Sequence, residues 1–315
     1  MKYNQGMEQM TASIAALKRN EVKRRLLIDT DPATGVPNRD VDDGLALLVL
    51  LASPEVVVEG VTVTFGNVPV DRAFAVAKEL LGLAGSTVPL HRGAGSPEER
   101  GKPNEAVDFL IETIRKSPGE ISLLALGPLT NIATAMALDP EFAPNLRELV
   151  VMGGSLRFKP FSYFGELNFH LDGRSAAAVL EAPVPTTLIT MDVCSQAVFR
   201  ETELQRVMNH DSHVARQLAK AIGPWLALNR RVFFKAKGFF PWDVVAASWL
   251  IDPTLFDERP CSLSVRPSGL RSGSIHALRL PGGLPKVESR RSINLPSRLD
   301  SSRFMGLFLE RLLRF

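Results

Sequence analysis

Apolar and polar residues alternate along this chain in two periods, and the alternation by itself predicts an architecture. Short, continuously apolar runs are followed by longer segments whose apolar residues recur at helical spacing. Arg25–Asp29 (RLLID), Val56–Thr64 (VVVEGVTVT), Ile121–Leu126, Leu149–Met152 and Thr187–Thr190 read as strands, with a short one at Val88–His91. Between them Asp42–Ala52, Val70–Ala84, Glu105–Arg115, Leu129–Ala137 and Ala176–Leu180 read as helices. Strands without polar alternation are covered on both faces. Strand and helix in turn therefore predict an α/β fold with a mainly parallel central sheet flanked by helices, a Rossmann-like core. After Asp192 the pattern becomes largely helical, through Glu201–Met208, Val214–Phe234 and Val244–Leu250. A strand-like stretch, Leu263–Leu280, is interrupted by Pro267, Gly269 and Gly273, and an amphipathic helix follows at Ser302–Leu313. No repeat or low-complexity linker divides the chain. One domain is expected over 23–315, preceded by a flexible polar extension, 1–22.

Composition narrows the partners. With 45% hydrophobic and 23% charged residues, the chain has an ordinary globular balance. The net charge of +3 is nearly neutral, and basic residues are scattered apart from Lys18–Arg25 and the tail from Arg266 onward. Aromatics do not interleave with them, which argues against nucleic acid as a partner. A membrane span needs roughly 18–20 apolar residues. The longest apolar candidate, Gly44–Ala52, is far shorter and reads as a buried helix. Cys194 and Cys261 make neither a disulfide framework nor a metal pair, and the N-terminus lacks the apolar segment of a secretory signal. A reducing cytoplasm is the expected compartment.

In an open parallel sheet, ligands bind beyond the carboxyl ends of the strands. The residues that follow each predicted strand are polar and converge on one edge. They are Asp29-Thr30-Asp31, Phe65-Gly66-Asn67, Leu126-Gly127-Pro128, Gly153-Gly154 with a loop reaching Glu166 and Asn168, and Asp192. Asp42 and Asp43 sit where a helix begins, a position that favours negative charge. Four carboxylates (Asp29, Asp31, Asp42, Asp43) brought this close repel one another unless a cation joins them. An all-oxygen donor set without His or Cys selects Ca²⁺ or Mg²⁺, and a backbone carbonyl among the ligands tilts the choice toward Ca²⁺.

These residues together resemble the inosine–uridine type of nucleoside hydrolase. Asp29-Thr30-Asp31-Pro32 followed by Asp42-Asp43-Gly44-Leu45-Ala46 is similar to that family's N-terminal signature. Thr64-Phe65-Gly66-Asn67, Leu126-Gly127-Pro128-Leu129-Thr130-Asn131-Ile132-Ala133, Met152-Gly153-Gly154, Gly165-Glu166-Leu167-Asn168 with Asp172, and Trp242-Asp243-Val244-Val245-Ala246 with Ile251-Asp252-Pro253 follow in order. The resemblance runs from Leu26 to the C-terminus. It implies Ca²⁺-dependent hydrolysis of the N-glycosidic bond of a ribonucleoside, giving free base and ribose, in nucleoside catabolism and salvage. It further implies Asp31, Asp43, Asp243 and the Leu126 carbonyl as Ca²⁺ ligands, with Asp29 orienting them from behind. Asp42, Asn67, Glu166 and Asn168 would hold the ribose hydroxyls, and Asp31 would be the general base for a Ca²⁺-bound water. Family members are homodimers or homotetramers.

Three departures stand out. Asp31 and Asp42 are eleven positions apart, where the signature puts them four apart. The extra residues fall within Ala33–Val41, are rich in turn formers, and offer Asp40 as a competing ligand. Where the family often has a His that protonates the leaving base, this chain has Trp242, suited to stacking on an aromatic base. The segment before Glu166, Arg157–Phe164 (RFKPFSYF), has no Asn for the 5′-hydroxyl. His170 and Tyr163 are the remaining candidates for the leaving-group proton. Two other readings compete. A phosphatase of the haloacid dehalogenase type shares the Asp-x-Asp after a first strand but does not predict Trp242-Asp243. A ribose binder would keep the carboxylates and lose the chemistry.

Overall fold

The computed structural model describes residues 23–156, 166–232, 236–257, 260–264, 276–278 and 292–315. The extension 1–22, the aromatic loop 157–164 with Tyr163, and most of the 263–280 stretch lie outside them.

The predicted rhythm is present. β1 (Arg24–Thr30), β2 (Val56–Val63), β3 (Leu90–Arg92), β4 (Ile121–Ala125), β5 (Glu148–Met152) and β6 (Thr186–Ile189) all run parallel, in the order β3-β2-β1-β4-β5-β6. β9 (Ser292–Asn294) joins β6 in parallel, and β7 (Pro260–Ser264) and β8 (His276–Leu278) finish the nine-stranded sheet antiparallel. The seven parallel strands confirm the expected fold class. Strand order reverses between β1 and β4, which makes the carboxyl ends of those two strands the switch point where doubly wound sheets open a crevice.

The helices are α1 (Asp42–Leu51), α2 (Val70–Leu83), α3 (Glu105–Lys116), α4 (Thr130–Leu138), α5 (Leu167–Leu171), α6 (Gly173–Leu180), α7 (Met191–Cys194), α8 (Glu201–Met208), α9 (His213–Val232), α10 (Trp242–Ile251) and α11 (Ser301–Leu312). They divide the apolar interior into two layers. One holds α1, α2, α10 and α11 against one face of the sheet, with Leu45, Leu48, Val244, Phe304 and Phe308 fully buried. The other holds α3, α4 and α6, with Val107, Leu110, Ile132 and Val179. Residues 42–50 of α1 and 243–251 of α10 are all buried, so these two helices form the inside of the molecule rather than its coat. That explains why their sequences read as apolar all round.

One local irregularity matters for the site. Register between β1 and β2 slips by one residue, from Leu26 opposite Val58 to Leu27 opposite Gly60. The bulge sets Thr62, rather than Val61, opposite Asp29.

Candidate active site

The chain leaves β1 at the switch point through Asp29, Thr30 and Asp31, all buried. Their hydrogen bonds fix three different carboxyls. Asp29 Oδ1 accepts from Thr62 Oγ1 at 2.6 Å and Asn131 Nδ2 at 2.8 Å. Thr30 Oγ1 (2.5 Å) and the Asp31 backbone N–H (3.2 Å) donate to Asp43 Oδ1. Asp31 Oδ2 accepts from the Asn67 backbone N–H at 2.5 Å, and the Asn67 side chain reaches Asp43 Oδ2 at 3.0 Å. Gly66 and Gly127 close around Asp31 so tightly that a Cβ at Gly66 would collide with its carboxylate.

Two helices deliver the remaining acids. α1 opens on Asp42 and Asp43, and α10 places Asp243 in its first turn behind Pro241, which cannot donate a hydrogen bond. The Asp243 backbone N–H donates to Asp42 Oδ2 at 3.1 Å, tying the two helix starts together. Carboxylate oxygens of Asp42, Asp43 and Asp243 lie within 4.8 Å of one another. Within the insert that lengthens the signature, Asp40 Oδ1 accepts from the Val41 (2.7 Å) and Asp42 (3.4 Å) amides. Asp40 therefore sits at the start of α1, against Asp42.

The electrostatics are those of a cluster short of positive charge. Burial, and then the Asp43 carboxylate, pushes Asp31 well above the usual carboxylate range. Burial followed by Asp40 and Asp43 does the same to Asp42, and burial followed by Asp42 and Asp43 to Asp243. Asp43 is raised by burial against the opposing bonds from Thr30 and Asp31. Asp29 and Asp40 are pushed up to about 6, in each case chiefly by burial. Asp31 Oδ1 and Asp29 Oδ2 are buried with no hydrogen-bond partner among the described residues. Orphaned buried carboxylate oxygens amid like charges are costly without a cation, and the donors are all hard oxygens. This site fits a divalent metal of the Ca²⁺ or Mg²⁺ type.

Beyond the cluster, Glu166 caps α5. Its Oε1 accepts from the Asn168 N–H (2.6 Å), and its Oε2 from the Gly154 and Phe169 N–H groups, each at 2.9 Å. Burial nonetheless raises its pKa. The Asn168 amide donates to the Leu126 carbonyl at 2.7 Å, which joins the Glu166–Asn168 segment to the end of β4. The Trp242 ring lies 4.8 Å from Phe240 at the start of α10. His170, at the end of α5, instead lines a cleft of about 390 Å³ with Pro97, Glu98, Arg100, Asp172 and Arg174, none of them from the acidic cluster.

Asp29, Asp31, Asp42, Asp43, Asn67 and Asp243 thus come together, with Leu126, Glu166 and Asn168 adjoining. The trio with mutually closest oxygens contains Asp42, expected to hold sugar, and omits Asp31, expected to be a ligand. Sequence reasoning passed over Thr30, Thr62 and Asn131 as functional positions, although Thr30 sits inside Asp-Thr-Asp and Asn131 inside Leu-Thr-Asn. It also missed Cys194, buried behind the cluster with Sγ 3.6 Å from the Trp242 carbonyl. Burial, followed by Asp42 and Asp192, pushes that thiol up.

A buried oxygen-only acidic centre at the switch point of a doubly wound sheet defines a metal-dependent α/β enzyme. Residues 26–305 match the family of inosine-uridine preferring nucleoside hydrolases, and the chain belongs to it. It is a nucleosidase, an N-glycosyl hydrolase that splits ribonucleosides into base and ribose. Among similar proteins, a probable uridine nucleosidase 2 of Arabidopsis thaliana is 29% identical over 283 residues, 80% of this chain and 84% of the relative. A non-specific ribonucleoside hydrolase RihC of Escherichia fergusonii is 27% identical over 288 residues, 83% and 90% of the two chains. The solved plant nucleoside hydrolase PpNRh1 superposes with a TM-score of 0.82 at 23% identity, covering 93% of this chain and 100% of that one. The purine-preferring ribonucleoside hydrolase from Gardnerella vaginalis gives 0.79 at 24%, with 92% and 98% covered.

Proposed function

We propose that the acidic centre holds Ca²⁺ through Asp31, Asp43, Asp243 and the Leu126 carbonyl, and that the ribose diol of a nucleoside docks against it. The observation that carries this reading is the buried Asp31 Oδ1, without a partner among the described residues, beside the Asp42–Asp43–Asp243 oxygens. When bound, the cation supplies charge that neutralises the cluster, orients the sugar hydroxyls and acidifies a water molecule.

The chain's own residues do the rest. Asp31, held by the Asn67 amide, accepts the proton of the water that attacks the anomeric carbon. Asp42, Asn67, Glu166 and Asn168 bind ribose hydroxyls. The surrounding carboxylates stabilise the positive charge that develops on the sugar ring as the glycosidic bond breaks. Trp242 stacks on the departing base. His170, in the last turn of the helix that Glu166 caps, is proposed as the proton source for that base, tested by His170→Ala.

Residues 23–315 act as one catalytic unit, and a homodimer or homotetramer is the proposed assembly, checked by light scattering. Among the described residues no helix is long and apolar enough to cross a membrane. With Cys194 a free thiol, a reducing cytoplasm is the proposed location. The deciding experiment screens purine and pyrimidine ribonucleosides for base release with and without a Ca²⁺ chelator. Base release that survives chelation and is not restored or raised by Ca²⁺ removes the metal from the mechanism.

A further inference from the structure

One buried side chain beside the acidic centre, hydrogen-bonded through both its nitrogen and its oxygen, contributes no carboxylate and has no part in the mechanism above. Asn131 lies on α4, on the far side of the switch point from β2 and β3, and is fully buried. Its Nδ2 donates to Asp29 Oδ1 at 2.8 Å and to the Val63 carbonyl at 3.4 Å, and its Oδ1 accepts from the Ala94 backbone N–H at 2.8 Å. One amide thereby joins the end of β1, the end of β2 and the turn after β3. Gly93 is packed so closely that a Cβ there would collide with both polar atoms of the amide, so the approach is built into the backbone.

The consequence falls on Asp29. Two donors, Asn131 and Thr62, converge on its Oδ1, while its Oδ2 is buried with no partner among the described residues. A carboxylate free to rotate would exchange its two oxygens. With Oδ1 held by two donors on rigid elements it cannot, and Oδ2 stays on the side away from them. The same residue's backbone carbonyl accepts from the Leu126 N–H at 2.8 Å, so Asp29 also fixes the strand end that presents the Leu126 carbonyl. The alternative, an amide that merely satisfies buried strand ends, accounts for the Val63 and Ala94 bonds but not for the pairing of donors on one carboxylate oxygen.

We propose that Asn131 is a positioning residue of the reaction: with Thr62 it locks the Asp29 carboxyl and, through Asp29, the geometry of the cation-binding oxygens at Asp31 and Leu126. The proposal rests on the Ca²⁺ reading given above. Groups that orient ligands from behind are worth about 10–100-fold in metal affinity.

The test measures Ca²⁺ affinity by isothermal titration and kcat and KM for uridine and inosine, on the full chain, in wild type, Asn131→Ala, Thr62→Val and the double variant. Asn131→Ala is expected to weaken Ca²⁺ binding about tenfold or more, and to lower kcat at saturating Ca²⁺ with KM little changed. Thr62→Val, which removes the other donor without opening the strand ends, keeps the test decisive if Asn131→Ala folds poorly, and should weaken binding in the same direction by a smaller factor. The double variant should lose less than the product of the two single losses, because both act on one oxygen. A lowered melting temperature with wild-type Ca²⁺ affinity and kcat in both single variants overturns the proposal and leaves Asn131 structural. If wild type hydrolyses nucleosides but binds no Ca²⁺, the calcium reading fails instead, and an unchanged kcat in Asn131→Ala then overturns the positioning role as well.

Discussion

Two buried aspartate sites in this molecule look alike in sequence and differ in kind. Asp172 receives the Thr130 hydroxyl at 2.8 Å, the Ser175 backbone N–H at 3.0 Å, the Ser175 hydroxyl and the Arg100 guanidinium at 3.3 Å. Both its oxygens are satisfied and its charge has a counter-ion. At the end of β1, by contrast, the Asp42, Asp43 and Asp243 oxygens gather within 4.8 Å of one another, next to Asp31, one of whose oxygens has no partner among the described residues. A buried carboxylate supplied with donors is a joint in the scaffold. A group of them that the protein leaves in mutual repulsion is a place prepared for something else.

The contrast breaks most sharply under substitution. Asp31→Asn is expected to reduce base release by at least about 10²–10⁴-fold, the range of general base catalysis, while metal-free folding is unharmed because a like charge has gone. Wild-type turnover in this variant, read by the release of reducing sugar, sinks the assigned base. Asp172→Ala should do the opposite. It leaves buried donors unpaired and costs about 1–3 kcal/mol in urea unfolding, with kcat of the folded fraction retained.

Metal removal sharpens the same comparison through pH. The cluster carboxyls have folded pKa values above their unfolded value of about 3.9, so the metal-free folded state binds the extra protons. Its stability is therefore greatest at low pH and declines as pH rises through about 4 to 6 for Asp29, and further for Asp31, Asp42 and Asp243. A chelator should lower the melting temperature more at pH 8 than at pH 5. An equal drop at both values would separate the carboxylates from the cation. The smallest effect is expected at the rim: Trp242→Ala should change the ratio of kcat/KM between nucleosides of different base by about tenfold, one lost stacking contact, and leave Ca²⁺ affinity alone. Equal losses for every base would assign Trp242 to packing against Phe240.

Much of this was legible in the residues. Short apolar runs of strand length, alternating with longer helical segments, read as strands covered on both faces, so the order β1-α1-β2-α2 onward and the parallel sheet follow from patterning. Boundaries were displaced by one to three residues; α6 begins at Gly173, where Asp172 caps it, rather than at Ala176. β9 is three residues long and falls next to an interrupted stretch, too short for any period to show. The carboxylates were legible because acids directly after a strand or at a helix start are positions the backbone itself favours. Thr62 and Asn131 were not. Nothing in VVVEGVTVT distinguishes Thr62 as the residue that faces Asp29, since that depends on the slipped register between β1 and β2.

Local chemistry therefore decided the elements, the edge of the sheet that carries polar groups, and the acidic donor set, because each depends on neighbours in the chain. Only the folded structure decided which acids meet. Asp243 reaches Asp42 across 201 positions because two largely apolar helices pack side by side, and Asp40 comes to lie against Asp42 at the start of α1. Long-range packing and a one-residue bulge set distances that no local pattern encodes, and at a metal centre those distances are what count.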